Sequence, residues 1–265
     1  MKTILLAGSN DGFLTEDSTS MPKAMADIGG RPVLTRVMEI YARFGHTDFI
    51  VATGHQSVAV KQFFANYHLM ANDIHVSLDS SKIKLRPTHG AGWEVSVVDT
   101  GLYTSDSGRV RLLRDWIGDE TFMVAYGDAL GNVDISALME FHQDHGKLAS
   151  MTAVRPPARS GGVEMMNSRV TGFTPTLRSA DSWINGGFFV FEPTVFDYLV
   201  DDQEPLEGAP LSQLAQDGEL MAFRHYGFWH PVDTIRDRRM LSGHCMAVTP
   251  PWLQFERSAS VKAAE

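Results

Sequence analysis

The sequence has one cysteine, Cys245, among 265 residues. That excludes an internal disulfide and fits a reducing compartment. No apolar run approaches the roughly 20 residues of a membrane span. The apolar stretch after Met1-Lys2 is too short for a signal peptide, and a loop follows it at once. A basic excess is also missing: 23 Lys and Arg against 32 Asp and Glu leave a net charge of −9. That argues against a general nucleic-acid binder, which shows a basic face. It leaves room for a small anion held by a few local cations. There is no Walker A pattern, complete dinucleotide fingerprint, Gly-x-Ser-x-Gly elbow, repeat or low-complexity linker. Hydrophobic residues make up 43%, ordinary for a globular core. The expectation is a soluble cytoplasmic protein with one domain over residues 1–252 and a polar, flexible tail over 253–265.

The first twenty-five residues carry the most information. Thr3 to Ala7 is apolar and partly β-branched, and Gly8-Ser9-Asn10-Asp11-Gly12-Phe13-Leu14 follows, then Pro22-Lys23. A buried strand running into a Gly-rich loop is the usual entrance to a nucleotide site in an α/β fold. Glycines let the backbone approach a ligand and turn N–H groups toward an anion. The loop nevertheless carries Asp11 and no arginine. A carboxylate beside a triphosphate is repulsive unless a cation intervenes.

Strand and helix patterns alternate along the chain. Pro32 suits a first helical turn, and Val33, Leu34, Val37, Met38, Ile40, Tyr41 and Phe44 follow at helical spacing up to Gly45. Phe49–Ala52 and Phe122–Tyr126 read as buried strands, and Val95–Val98 as another strand. Helices are expected through Val60–Tyr67, Val110–Ile117, Ile135–His145, Val195–Val200 and Leu211–Asp217, with a last one from Thr234. Ile74, Val76 and Leu78 alternate as a short edge strand should. Further strands are expected at Ser150–Val154, Val163–Met166, Val170–Phe173, Gly187–Phe191 and Leu220–Arg224. Such alternation predicts a mainly parallel sheet flanked by helices, with ligands at the carboxyl ends of the strands. Gly8–Gly12, Gly54-His55 and Tyr126-Gly127-Asp128 should converge on that edge.

Each candidate has a plain structural alternative. Asp128, just past a buried strand, can hold Mg²⁺ or serve as a turn or helix cap. Asp233 has the same two readings. A lone lysine is usually a solvated surface group, but Lys23 closes the glycine loop, which raises the odds of a phosphate contact. Asn185-Gly186-Gly187 is either a plain turn or an amide that reads sugar hydroxyls. His142 and His145 lie on a helix among Glu140, Gln143, Asp144 and Lys147, so a solvated face outweighs a metal pair. Trp93, Trp116, Trp183 and Trp229 read as core or interface residues, not a stacking platform.

Taken together the sequence resembles the sugar-1-phosphate nucleotidyltransferases, and within them the glucose-1-phosphate cytidylyltransferases. The resemblance runs from Met1 to about Trp252. It is carried by Ile28-Gly29-Gly30-Arg31-Pro32, Asp48-Phe49-Ile50, Phe64-Ala65-Asn66-Tyr67, Val98-Asp99-Thr100-Gly101, Gly108-Arg109 and Tyr126-Gly127-Asp128. Ile184-Asn185-Gly186-Gly187-Phe188-Phe189-Val190, Gly218–Phe223, Gly227-Phe228-Trp229 and Pro231–Asp237 continue it. It implies a Rossmann-like nucleotidyltransferase fold with a small additional β region. It also implies transfer of a nucleotidyl group from CTP to a hexose-1-phosphate, giving a CDP-hexose and pyrophosphate, and an oligomer to which Phe63, Phe64 and Tyr67 could contribute. By the resemblance Asp128 and Asp233 hold Mg²⁺ and Lys23 is catalytic beside Asp128. Ala7, Gly8, Gly12, Gly108 and Arg109 meet the nucleotide, and Asn185 and Gly186 meet the sugar.

Two departures fall on the charge-handling positions. Phe13 stands where the family loop Gly-Gly-x-Gly-Thr-Arg has its arginine. Thr176 stands where its Glu-Lys-Pro element has the lysine. Losing a charge-stabilising contact of this kind costs roughly 10³–10⁵ in rate by analogy with an arginine finger. Arg31, Arg109 or Arg111 could replace the first cation, and Arg155 or Arg178 the second. The alternatives to an active transferase are a non-catalytic paralogue that binds a nucleotide, sugar phosphate or protein, and an altered reaction on a related sugar ligand.

Overall fold

The computed structural model describes residues 1–8, 21–86, 92–155, 162–166, 169–174 and 183–255, with the backbone alone for 162–166 and 169–174. In chain order the elements are β1 (Thr3–Leu6), α1 (Val33–Ala42), β2 (Asp48–Thr53), α2 (Ser57–Ala65), α3 (Tyr67–Ala71), β3 (Asp73–Ser77), β4 (Lys82–Arg86) and β5 (Glu94–Asp99). There follow α4 (Asp106–Leu112), α5 (Arg114–Ile117), β6 (Phe122–Tyr126), β7 (Ala129–Gly131), α6 (Ile135–His145), β8 (Ala149–Val154), β9 (Gly162–Met166) and β10 (Arg169–Thr174). β11 (Ile184–Phe191), α7 (Ala209–Gln216), β12 (Leu220–His225), β13 (Trp229–Pro231) and α8 (Ile235–His244) complete it.

Seven strands form the central sheet in the order β12-β8-β11-β6-β1-β2-β5. β5, β2, β1 and β6 are mutually parallel, and so are β8 and β12. β11 runs antiparallel between β6 and β8. The mainly parallel α/β architecture is therefore as expected.

Both faces of the inner strands are covered, which is why β1, β2, β6 and most of β11 are continuous apolar runs. Successive side chains point to opposite faces. Leu5, Phe49, Val51, Met123, Phe188 and Val190 enter one core with residues of α1, α2, α6 and α8. Ile4, Leu6, Ile50, Val124, Phe189 and Phe191 enter a second core with α4, α5 and α7. In α1, Val33, Leu34, Val37, Met38 and Tyr41 are fully buried on the first face. Burial contributes about 1.5–3 kcal/mol for each such aliphatic side chain, so truncating Met38 would cost about 2–5 kcal/mol. Pro32 stands one residue ahead of α1, and Gly45, at φ +84°, follows it.

Four expectations need correction. Ile74 and Val76 do not form an edge strand of the main sheet. They belong to a separate antiparallel ribbon in which Ile74 faces Leu85 and Val76 faces Ile83, and Leu78 lies beyond its end. Asn185-Gly186-Gly187 is not a turn but the start of β11, with a register shift between Asn185 and Phe189. The segment after Pro193 is a 3₁₀ turn (Pro193–Tyr198), not an α-helix. Packing also continues past residue 252: Phe255 meets Phe44 edge-on at 4.8 Å, and Leu253 joins the core. Residues 256–265 of the expected tail lie outside the described residues. Phe63 and Phe64 pack against the core, and Tyr67 lies edge-on to Phe63.

Candidate active site

Register brings the strand ends together. Leu6 stands opposite both Ala52 and Tyr126. The Ala7 N–H donates to the Ala52 carbonyl at 2.9 Å, and the Gly127 N–H donates to the Leu6 carbonyl at 2.9 Å. Ala7-Gly8, Gly54 and Gly127-Asp128 thus leave the sheet side by side at its carboxyl edge, as the alternation predicted. Gly12 lies outside the described residues, as do Asp11, Phe13, Thr176 and Arg178.

The acidic pair is assembled by a short ribbon. β7 and β13 are antiparallel, with Ala129 opposite Pro231. The Val232 N–H donates to the Asp128 carbonyl at 2.8 Å. Asp128 and Asp233 therefore sit at the same open end of the ribbon, although 105 residues separate them. Lys23 opens a 3₁₀ turn after Pro22, and its Nζ lies 3.4 Å from Asp233 Oδ1. Burial pushes the Asp128 carboxyl up to about 6, with Lys23 opposing and Asp233 adding to the rise.

Neither aspartate is a helix cap. Asp134 caps α6 by accepting from the Ala137 N–H. Thr234 caps α8 in a reciprocal box with Asp237, whose carboxylate also accepts from the Asp233 N–H at 3.2 Å. That removes the helix-cap alternative for both, although Asp128 does lie in the turn between β6 and β7. Among the described residues no group of three or more His, Cys, Asp or Glu could hold a metal ion. Two carboxylates with one lysine suit a hard cation that takes its other ligands from phosphate oxygens and water.

Arg109 faces inward. It is 1% exposed. Its guanidinium donates to the carbonyls of Gly8 (2.7 Å), Thr53 (3.0 Å) and Gly101 (2.9 Å) and to Thr100 Oγ1 (2.7 Å). A side chain at Gly8 would overlap this guanidinium, which is the physical reason for glycine there. Gly108 backs onto the chain at Asp202, where a Cβ would stand 2.6 Å from a carbonyl oxygen. The other two arginines considered for the lost loop cation are also engaged. Arg31 pairs with Glu39 at 2.8 Å, and Arg111 with Asp202, its Nε at 2.9 Å.

On the other side of Asp128, Asn185 Nδ2 donates to Glu207 Oε1 at 2.7 Å and to the Tyr126 hydroxyl at 3.2 Å. The Tyr126 hydroxyl donates to the same Glu207 oxygen at 3.2 Å. Burial pushes the Tyr126 phenol up, and Glu207 adds to it. Asn185 Oδ1 accepts from the Gly187 N–H at 2.8 Å, which fixes the amide's orientation. Gly187 has φ +75°, and a Cβ there would stand 2.6 Å from the Tyr126 ring. The Gly186 carbonyl accepts from Trp229 Nε1 at 2.8 Å. Glu207 was not foreseen; it lies in an irregular segment, and no spacing in the sequence links it to Asn185.

The histidine reading is overturned in part. His142 is 2% exposed, not on a solvated face, and is hydrogen-bonded to Ser150 and Glu192. It lies at the opposite end of the sheet from Asp128. Of the tryptophans, Trp93 and Trp229 pack against the core, whereas Trp116 is 45% exposed. Trp183 is half-buried at the carboxyl edge, with the Arg155 guanidinium carbon 5.1 Å from its ring centre.

A mainly parallel sheet whose carboxyl edge gathers Gly8, a lysine and two carboxylates is the arrangement expected of an α/β protein that handles phosphates. Residues 2–230 match the nucleotidyl transferase family, and the chain belongs to it. It is 38% identical over 257 residues to glucose-1-phosphate cytidylyltransferase of Salmonella typhi, covering 97% of this chain and 100% of that protein. It is 35% identical over 238 residues to a Bacillus subtilis (strain 168) protein named as a probable glucose-1-phosphate cytidylyltransferase, covering 89% and 93%. HddC from Yersinia pseudotuberculosis has the same fold, with a TM-score of 0.65 at 17% identity over 91% of this chain and 98% of that one.

Proposed function

We propose that this chain transfers the cytidylyl group of CTP to a hexose-1-phosphate, with glucose-1-phosphate the first substrate to test. The observation that carries the reading is the pairing of Asp128 with Asp233 beside Lys23. The names of the relatives supply the base and the sugar. A sugar phosphate oxygen attacks the α-phosphorus in line, and the bond to pyrophosphate breaks. Asp128 and Asp233 would hold Mg²⁺, which neutralises phosphate charge when bound. Lys23 meets phosphate oxygens once they draw it from Asp233. Gly8 and Gly12 meet the nucleotide, and Ala7, whose N–H is held by the Ala52 carbonyl, fixes the direction in which the loop leaves β1. Arg109 with Gly108 acts behind them, holding the Gly8 carbonyl so that the loop leaves the sheet in one direction. Asn185 and Gly186 seat the sugar, with Tyr126 and Glu207 orienting the Asn185 amide. Positioning and charge neutralisation account for most of such a rate enhancement.

The proposal includes a homo-oligomer. Ile74, Val76, Ile83 and Leu85 form one face of the β3–β4 ribbon and are 42–53% exposed. Two strands alone are marginally stable in water, and a second copy would cover that face. Light scattering of wild type against Ile83→Lys tests it: the variant should be the smaller species, and equal masses would reject this surface.

Calorimetric titration with CTP, UTP, dTTP, ATP and GTP, each with Mg²⁺, followed by pyrophosphate release with glucose-1-phosphate, tests the reaction. Saturable Mg²⁺-dependent CTP binding with release is expected. A folded protein that binds no triphosphate would overturn it. The engagement of Arg31, Arg109 and Arg111 favours a second reading, a paralogue that binds both substrates without turnover. Its signature is binding with no pyrophosphate release.

A further inference from the structure

A sugar-1-phosphate brings a dianion to the site, and the cations described so far are committed. Lys23 faces Asp233, Arg109 is buried among carbonyls, and Arg31 and Arg111 are paired. Four other residues meet on the same edge of the sheet. Val154, the last residue of β8, stands opposite Ile184 of β11 and His225 of β12. Arg155, Trp183, Arg224 and Tyr226 flank that junction. The Arg155 Cζ lies 5.1 Å from the Trp183 ring centre and 6.0 Å from that of Tyr226, and the Arg224 Cζ lies 5.8 Å from Trp183. Trp183 and Tyr226 meet edge-on at 5.2 Å.

We propose that Arg155 and Arg224, set on Trp183 and Tyr226, form the anion site that receives the phosphate monoester of the sugar substrate. This rests on the transferase reading above and supplies the cation missing at Thr176. Both arginines are exposed, and among the described residues neither has a carboxylate at ion-pair distance. Two guanidinium groups converging on one indole repel each other unless an anion lies between them. Stacking on an aromatic face leaves the in-plane N–H groups directed outward, the geometry that grips a phosphate with two parallel hydrogen bonds. A lysine has no such plane. β8 lies two strands from β6 in the sheet, roughly 10 Å at the usual spacing. Asn185, the proposed sugar amide, is in the strand between them, so a hexose phosphate seated there lies within reach of the arginines on one side and Asp128 on the other.

Trp183 provides a direct readout. The full chain would be titrated with glucose-1-phosphate, glucose, inorganic phosphate and sulfate, with and without CTP and Mg²⁺, by calorimetry and tryptophan fluorescence. Glucose-1-phosphate should bind and change the fluorescence, and glucose should do neither. Arg155→Gln and Arg224→Gln should each weaken binding at least tenfold, Arg155→Lys should restore it only in part, and Trp183→Phe should abolish the fluorescence change. Binding within twofold of wild type in both glutamine variants would overturn the site. So would wild type failing to bind glucose-1-phosphate under every condition, or sulfate binding as tightly, which marks a general anion patch. Turnover with an unchanged KM for glucose-1-phosphate in Arg155→Gln would keep the transferase and reject the site. Arg155-dependent binding with no turnover of any triphosphate would keep the site and reject the transferase.

Discussion

Two polar clusters, one at each end of the central sheet, are balanced in opposite ways. At the amino end of β6 and β8, one directed chain of hydrogen bonds satisfies every member. The Lys147 N–H donates to His145 Nδ1 at 2.9 Å, so His145 carries its proton on Nε2 and donates to Ser150 Oγ at 2.7 Å. The Ser150 hydroxyl then donates to His142 Nδ1 at 2.9 Å, and His142 Nε2 donates to Glu192 at 3.1 Å. Thr121 Oγ1 donates to the same carboxylate at 3.0 Å. Ser, His and Glu in that order resemble a hydrolytic triad, but Ser150 is 0% exposed within β8 and meets no substrate. At the carboxyl end Asp128 is desolvated beside a second carboxylate, with one lysine against both. A satisfied network holds a fold together; an unbalanced one stores an affinity for something that is not protein.

Breaking the satisfied end should have the largest effect. His142→Ala removes a buried side chain, takes the acceptor from the Ser150 hydroxyl and leaves Glu192 to Thr121, at a cost of about 3 kcal/mol. Urea unfolding should show the midpoint falling with an unchanged slope. A loss below about 1 kcal/mol would mean that water replaces the ring and the network is dispensable. Acid should act here as well. Burial lowers the His145 pKa, so its contribution is complete above the unfolded value near 6.5 and is lost as pH falls below it.

Relaxing the unbalanced end should stabilise the protein. The Asp128 carboxyl is raised from 3.8 to about 6. The folded state therefore holds this proton more tightly than the unfolded chain does, and stability rises as pH falls from about 6 to about 4. Asp128→Asn removes the penalty. In chelator at pH 7.5 it should gain about 2 kcal/mol, shrinking to nothing near pH 4, while Mg²⁺-dependent nucleotide binding disappears. Destabilisation at pH 7.5 would show that the carboxylate is a structural partner and that the two ends do not differ. Opposite pH trends in wild type and in each variant would separate the two ends within one titration.

The parts read from sequence are those in which one local rule decides. β1, β2 and β6 are buried on both faces, so their apolar runs speak for themselves. The strand-end loops converge because parallel strands in register leave them no other place. What escaped depends on pairings across long stretches of chain. The β7–β13 ribbon sets Asp128 beside Asp233, and neither short strand has a pattern of its own. Asn185-Gly186-Gly187 has turn chemistry, but Gly187 is required by the Tyr126 ring, a contact 61 residues away in sequence. His142 was legible: with Ile135 and Leu138 it lies on the buried stripe of α6, and the charges around it concealed that spacing. Arg155 could be named only as one possible replacement for the missing lysine, because nothing in the chain announces an indole at position 183 beside position 155.

The smallest effect sharpens the comparison within the acidic pair itself. The Lys23–Asp233 pair has side chains 19% and 35% exposed, and pairs in such surroundings contribute about 1 kcal/mol or less. Asp233→Asn also removes a carboxylate that raises the Asp128 pKa, a gain that offsets the lost attraction to Lys23. Stability in chelator should therefore change by less than about 1 kcal/mol, although Mg²⁺-dependent binding should fall as far as in Asp128→Asn. The Asp128 carboxyl should titrate lower in Asp233→Asn than in wild type, measurable by NMR of the side-chain carboxyl carbon. If Asp233→Asn instead costs more than about 2 kcal/mol, Lys23 and Asp233 form a structural clasp. The carboxyl edge would then be balanced like the amino end, and Lys23 would not be available to a phosphate.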